Sequence, residues 1–227
     1  MLVTLILFAL LLSMPGAAAA QGWEVYLSQQ DHFSVNFPGQ PEITETTWRS
    51  QLGYTLPARV YSAERGRTSF SVRVVDYTSL EEQGIARWKE CPSGNSQCRD
   101  GGETIGPGYW KQDERGAIVY AVSTYLKRPF QVTDYAWDWQ DMVEGHGLQM
   151  QGDGMRTFVY IAMHKRKLYI LEASAPENEP EPGLFTQSLR WLDEDGKRIR
   201  YTETIYSNSY HGLGVYEEPE YRASELE

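Results

Sequence analysis

The chain has 227 residues, 41% of them apolar and 13% aromatic, and a formal net charge of −10. That length suits one folded domain, alone or with a tail. A surface this acidic repels nucleic acid and anionic membranes, so neither is an expected partner.

Residues 1–20 read as a secretory signal peptide. The run LVTLILFALLLSM (2–14) is almost unbroken apolar, Pro15 and Gly16 end a helix, and Ala18 and Ala20 supply small residues at −3 and −1. Cleavage is expected between Ala20 and Gln21. The run is shorter than the ~20 residues a bilayer span needs, which favours a removed leader over a retained anchor, although no Lys or Arg precedes it. No cysteine lies near that junction, so lipoprotein processing is not expected. The expected location is the periplasm or the medium, with no membrane span after cleavage.

The next third reads as strands. A polar, Trp-containing strand-like segment follows the leader. Phe33, Val35 and Phe37 then alternate with Ser34 and Asn36, and Pro38-Gly39 turns the chain. Leu56 to Ala63 forms a second run, and Arg65-Gly66 leads into Thr68 to Tyr77. There Phe70, Val72 and Val74 face one way and Ser69, Ser71 and Arg73 the other, a hairpin with one buried face. Ser79 and Glu82 have capping-box spacing at the start of a short helix carrying Ile85 and Trp88.

From Cys91 to Gly108 the chain is polar and Gly-rich, which predicts a long surface excursion. Cys91 and Cys98 are the only cysteines. In an oxidising compartment they are expected to form a disulfide, stabilising the fold by roughly 2–3 kcal/mol on the chain-entropy model. A zinc site would need two further ligands, and the spacing is not that of a thioredoxin-type dithiol. Ala117 to Lys127 fits a helix, with Ile118, Ala121, Val122 and Tyr125 at i, i+3, i+4 and i+7, although its β-branched content also permits a strand.

Four strands should follow. They are Val132–Trp139, Leu148–Gln151, Thr157–His164 and Leu168–Ala173, with turns at Gly152-Asp153-Gly154 and Lys165-Arg166. The last two are apolar on both faces and belong at the centre of a sheet. Pro180 and Pro182 introduce a last helix with Leu184, Phe185, Leu189 and Leu192 on one stripe and Gly196 as its stop. Residues 201–227 show little core pattern, and the last twelve hold five Glu and one Arg; this predicts a flexible acidic tail. The expected organisation is a leader (1–20), one α+β domain (21–200) and a tail (201–227).

Several segments resemble a known family. FSVNFPGQP (33–41), ARVYSAERG (58–66), FSVRVVDY (70–77), KLYILEASAP (167–176) and FTQSLRWLDEDGKRIRY (185–201) are similar to a family of uncharacterised exported proteobacterial proteins. Its layout resembles the fold of PsbP, the photosystem extrinsic subunit, and of the Ran-binding nuclear import factor. The resemblance covers roughly residues 31–201 and implies an antiparallel β-sheet with helices packed on its faces. It carries no catalytic motif and transfers no functional residue.

The chain has no G-x-S-x-G, H-E-x-x-H, G-x-x-x-x-G-K or G-x-G-x-x-G motif, and no cofactor is expected. Asp193, Asp195 and Gly196 mimic part of a calcium loop out of register and read as a turn. His146 and His164, with Glu144 or Asp141, make a candidate metal site if their strands bring them together; as turn histidines they are merely exposed. The basic run His164 to Lys167 is a candidate anion contact or a solvated turn. Tyr135, Trp137 and Trp139 recur with period two on one strand face, either packing against the last helix or forming a binding face for a ligand or protein partner.

Three functions remain in contention: a non-catalytic envelope protein binding a partner or small ligand, a periplasmic hydrolase or metal-dependent enzyme with scattered site residues, and a structural subunit that uses the acidic tail. A pocket joining His146, His164 and a carboxylate would favour the enzyme, and an exposed aromatic patch the binding protein.

Overall fold

Seven strands with strict antiparallel pairing organise the molecule. The structure is a computed structural model that describes residues 22–90 and 110–206. The expected leader with its Ala20–Gln21 junction, the expected Cys91–Cys98 disulfide and the part of the expected tail beyond Tyr206 lie outside the described residues.

The elements in chain order are β1 (Glu24–Ser28), β2 (Phe33–Phe37), β3 (Glu42–Arg49), β4 (Thr55–Arg65), β5 (Thr68–Asp76), α1 (Leu80–Lys89), α2 (Trp110–Leu126), β6 (Gln131–Gln140), β7 (Val143–Gly152), β8 (Met155–His164), β9 (Lys167–Pro176), α3 (Gly183–Thr186) and β10 (Arg190–Trp191). The large sheet has the order β3-β4-β5-β9-β8-β7-β6, and β1, β2 and β10 form a small second sheet. The hairpin β8–β9, apolar on both faces, lies at the middle of the large sheet as its pattern predicts. Two-residue turns close the β6–β7, β7–β8 and β8–β9 hairpins at Asp141-Met142, Asp153-Gly154 and Lys165-Arg166, each with both residues at positive φ. That conformation matches the right-handed twist of paired strands.

Helix α2 covers one face of the large sheet. Its buried Ala117, Ile118, Ala121, Val122 and Tyr125 pack with Leu148, Met150, Val159, Ile161 and Ile170. Helix α1 packs on α2 where Gly84 leaves room for the Trp110 side chain. The segment from Ala117 is therefore helical, and the β-branched alternative falls away.

The other face is covered mainly by the small sheet instead of a second helix. Phe33, Val35, Phe37, Phe185, Leu189 and Trp191 pack there on Tyr61, Phe70, Val72, Val74 and Tyr169. Asp31, in the β1–β2 connection, ties the two sheets together. Its carboxylate accepts hydrogen bonds from Tyr61 Oη (2.7 Å), Arg59 Nη1 (2.5 Å) and Lys167 Nζ (2.9 Å).

Two expectations need correction. The helix expected over Leu184–Leu192 is a single turn, Gly183–Thr186, after which the chain extends and pairs Arg190 and Trp191 with Ser34 and Phe33. Tertiary hydrogen bonds take over from the helix ladder: Asn36 N–H donates to Ser188 Oγ, Trp191 Nε1 to the Gln140 carbonyl, and Leu192 N–H to the His32 carbonyl. The fold also continues past residue 200. Tyr201 and Ile205 are buried, and Ile205 exchanges backbone hydrogen bonds with Met142 and Glu144. Asp193 acts in a turn, where its Oδ1 accepts the N–H groups of Asp195 and Lys197.

Candidate binding surface

Strand β6 ends the large sheet, and seven of its first eight residues are exposed along with Trp139. Its sequence from Asp134 to Trp139, DYAWDW, alternates aromatic and small or acidic side chains, so the two faces of the strand differ in chemistry.

One face carries Tyr135 (48% exposed), Trp137 (43%) and Trp139 (48%). Their cross-strand neighbours on β7 are Leu148, His146 and Glu144, which places them on the side covered by α2, but beyond the helix. His146 is the buried support of this row. Its Nδ1 hydrogen-bonds with the Tyr135 hydroxyl at 2.8 Å, and the Trp137 ring meets it edge-on at 4.7 Å. Burial lowers the pKa of His146, favouring the neutral imidazole.

The opposite face holds a groove of about 610 Å³ between β6–β7 and the α3 segment. Its floor follows from the register. Ala136, Gly147, Tyr160 and Leu171 are successive cross-strand neighbours, and the two small residues beside two large ones leave a hollow near the sheet edge. A Cβ on Gly147 would meet the Asp138 side chain at 3.1 Å, so glycine is what allows that carboxylate to lean over the strand. Asp134, Asp138, Asp141 and Glu181 make the walls acidic. Asp141 is ion-paired with Arg198 at 2.6 Å, whereas Arg190 donates to the Gln187 and Leu189 carbonyls. Burial raises the pKa of Asp138, the charge of Asp134 adds to this, and a hydrogen bond from Trp139 N–H opposes it.

The candidate metal residues do not converge. His146 stands opposite Ile161 on β8, and cross-strand partners share a face. His164 is three residues further along β8 and therefore projects from the other face. There it is fully buried, with Nε2 2.6 Å from the Tyr201 hydroxyl and its ring 4.4 Å from Trp191. Glu144 shares a face with His146 by alternation along β7. Among the described residues no group of three or more His, Cys, Asp and Glu side chains could hold a metal ion. The basic turn is built into the fold: Lys167 binds Asp31, and Arg166 reaches Glu114 of α2 at 3.3 Å.

Sequence reasoning found the aromatic row but missed the groove. The visible signal was the pair Asp134 and Asp138 in phase with Ala136, opposite the glycines of EGHG.

No protein-family model and no curated protein matches the chain. Among solved structures it is similar to the solution structure of cyanobacterial PsbP (CyanoP) from Synechocystis sp. PCC 6803. The two share 12% identity over 79% of this chain and 98% of that chain, with a TM-score of 0.43. This likeness transfers no site residue. No helix among the described residues is long and apolar enough to cross a membrane.

Proposed function

We propose that the protein is an exported, non-catalytic binding protein of the cell envelope, and that the β6–β7 hairpin is its contact surface. The observation that carries this reading is the exposed row Tyr135, Trp137 and Trp139 on an edge strand. Rigid aromatic side chains contribute large contact areas at little entropic cost, and an exposed cluster of them is characteristic of interaction sites. The pocket joining His146, His164 and a carboxylate that would favour a hydrolase or metal enzyme is not formed, because sheet parity puts the two histidines on opposite faces.

The test is affinity purification of the tagged protein from its own envelope, in parallel with a Trp137→Ala/Trp139→Ala variant. The two side chains are 43% and 48% exposed at the edge of the sheet, so the variant should stay folded with a modest loss of stability, and its melting transition checks this. A partner recovered with the wild type and lost with the variant is the expected result. Equal recovery with both, or a hydrolytic activity abolished by replacing His146, would overturn the reading.

A further inference from the structure

We propose that β6 is extended by a segment of a partner protein, an extended peptide in which basic residues alternate with aromatic or aliphatic ones. This rests on the binding reading above and names the partner's chemistry.

Among the described residues β6 has a strand on one side only, so alternate backbone N–H and C=O groups point outward and can receive another strand. An added strand lies ~4.8 Å away, and its residues share faces with their neighbours on β6. One set would lie beside Tyr135, Trp137 and Trp139, where apolar and aromatic side chains gain contact area. The alternate set would lie beside Asp134, Ala136 and Asp138, where Lys or Arg side chains reach over the Ala136–Gly147 hollow towards Glu181.

The register shift between Val132 and Asp134 interrupts the regular ladder. The usable edge is therefore Asp134 to Gln140, which sets the length of the segment. The opposite edge of the sheet differs. Strand β3 carries Glu42, Thr44, Glu45, Thr46 and Thr47 at exposed positions, with Ile43 as its single exposed apolar side chain, and charged or polar edges discourage strand addition.

Charge also argues against this chain as its own partner. A second copy paired antiparallel through β6 would set carboxylates against carboxylates on one face. Residues 216–227 hold five Glu and one Arg, the wrong sign for Asp134 and Asp138.

The experiment titrates the full mature protein with the acetylated, amidated peptide KYKVRYK and follows tryptophan fluorescence. Two further peptides carry backbone N-methyl groups, one at its Lys and Arg residues and the other at its Tyr and Val residues. Strand addition turns one set of N–H groups to β6 and the other to solvent, so one methylated peptide should lose binding and the other should bind like the parent. Asp134→Asn/Asp138→Asn should weaken the parent peptide about tenfold, the equivalent of ~1.4 kcal/mol. Equal binding of both methylated peptides would contradict strand addition. Binding of a soluble cell-wall oligosaccharide in place of any peptide would do the same. If no peptide binds while envelope capture still depends on Trp137 and Trp139, the peptide inference fails and the binding reading stands; if capture does not depend on them, the binding reading fails.

Discussion

His164 is a titratable ring held where a proton cannot easily follow. It is fully buried between Trp191, Tyr169 and Tyr201. Burial lowers its pKa from 6.5 to about 3, with the positive charges of Lys165 and His32 adding to the shift. The folded pKa lies below the unfolded one, so the unfolded chain binds more protons between these values. The stabilisation is complete above about pH 6.5 and is lost as pH falls towards 3. One proton of this kind should cost about 2 kcal/mol of stability between pH 7 and pH 5. His146 acts with the same sign, and the raised carboxyls of Asp113, Glu114 and Asp138 act with the opposite one. The difference between wild type and His164→Phe isolates the ring. Urea unfolding at the two pH values should show a smaller acid loss in the variant, by roughly that amount; equal losses would mean that His164 is protonated in the fold.

At the scale of elements, the C-terminal segment shows how a correct pattern can be placed in a wrong element. Phe185, Leu189 and Leu192 are buried, as their spacing on one helical stripe predicts. Leu184, assigned to the same stripe, is 58% exposed because the helix ends after one turn and the chain extends to meet β2. Leu189→Ala should therefore cost about 2–5 kcal/mol, the range for emptying a buried leucine site. Leu184→Ala should change stability by no more than about 0.5 kcal/mol. Denaturant midpoints measure both, and comparable losses would restore the regular helix. The central hairpin was legible because both its faces are apolar, and the β5 hairpin because it alternates. Strand β3 was not legible: seven of its eight residues are exposed, all but Trp48, so it has no apolar alternation to reveal it. The small sheet on the second face was equally hidden, because its third strand is two residues long and comes from the far end of the chain.

For the whole molecule, function depends on strand order, which local sequence does not contain. The period of Tyr135, Trp137 and Trp139 was visible, but whether such a row packs inside or faces solvent depends on β6 ending the sheet. The groove behind it was invisible because its floor joins residues from four strands and its far wall comes from the α3 segment. The two edges of the same sheet then offer a direct comparison: one polar and charged, the other aromatic on one face and acidic on the other. The most direct measurement places a photo-cross-linking amino acid at Ala136 of β6 or at Thr46 of β3, in full-length protein made by its own cells. Both positions are exposed on edge strands. Irradiation should yield a discrete cross-linked product from position 136 and none from position 46. A product from position 46 alone, or the same product from both, would contradict the assignment of the contact surface to the β6–β7 hairpin.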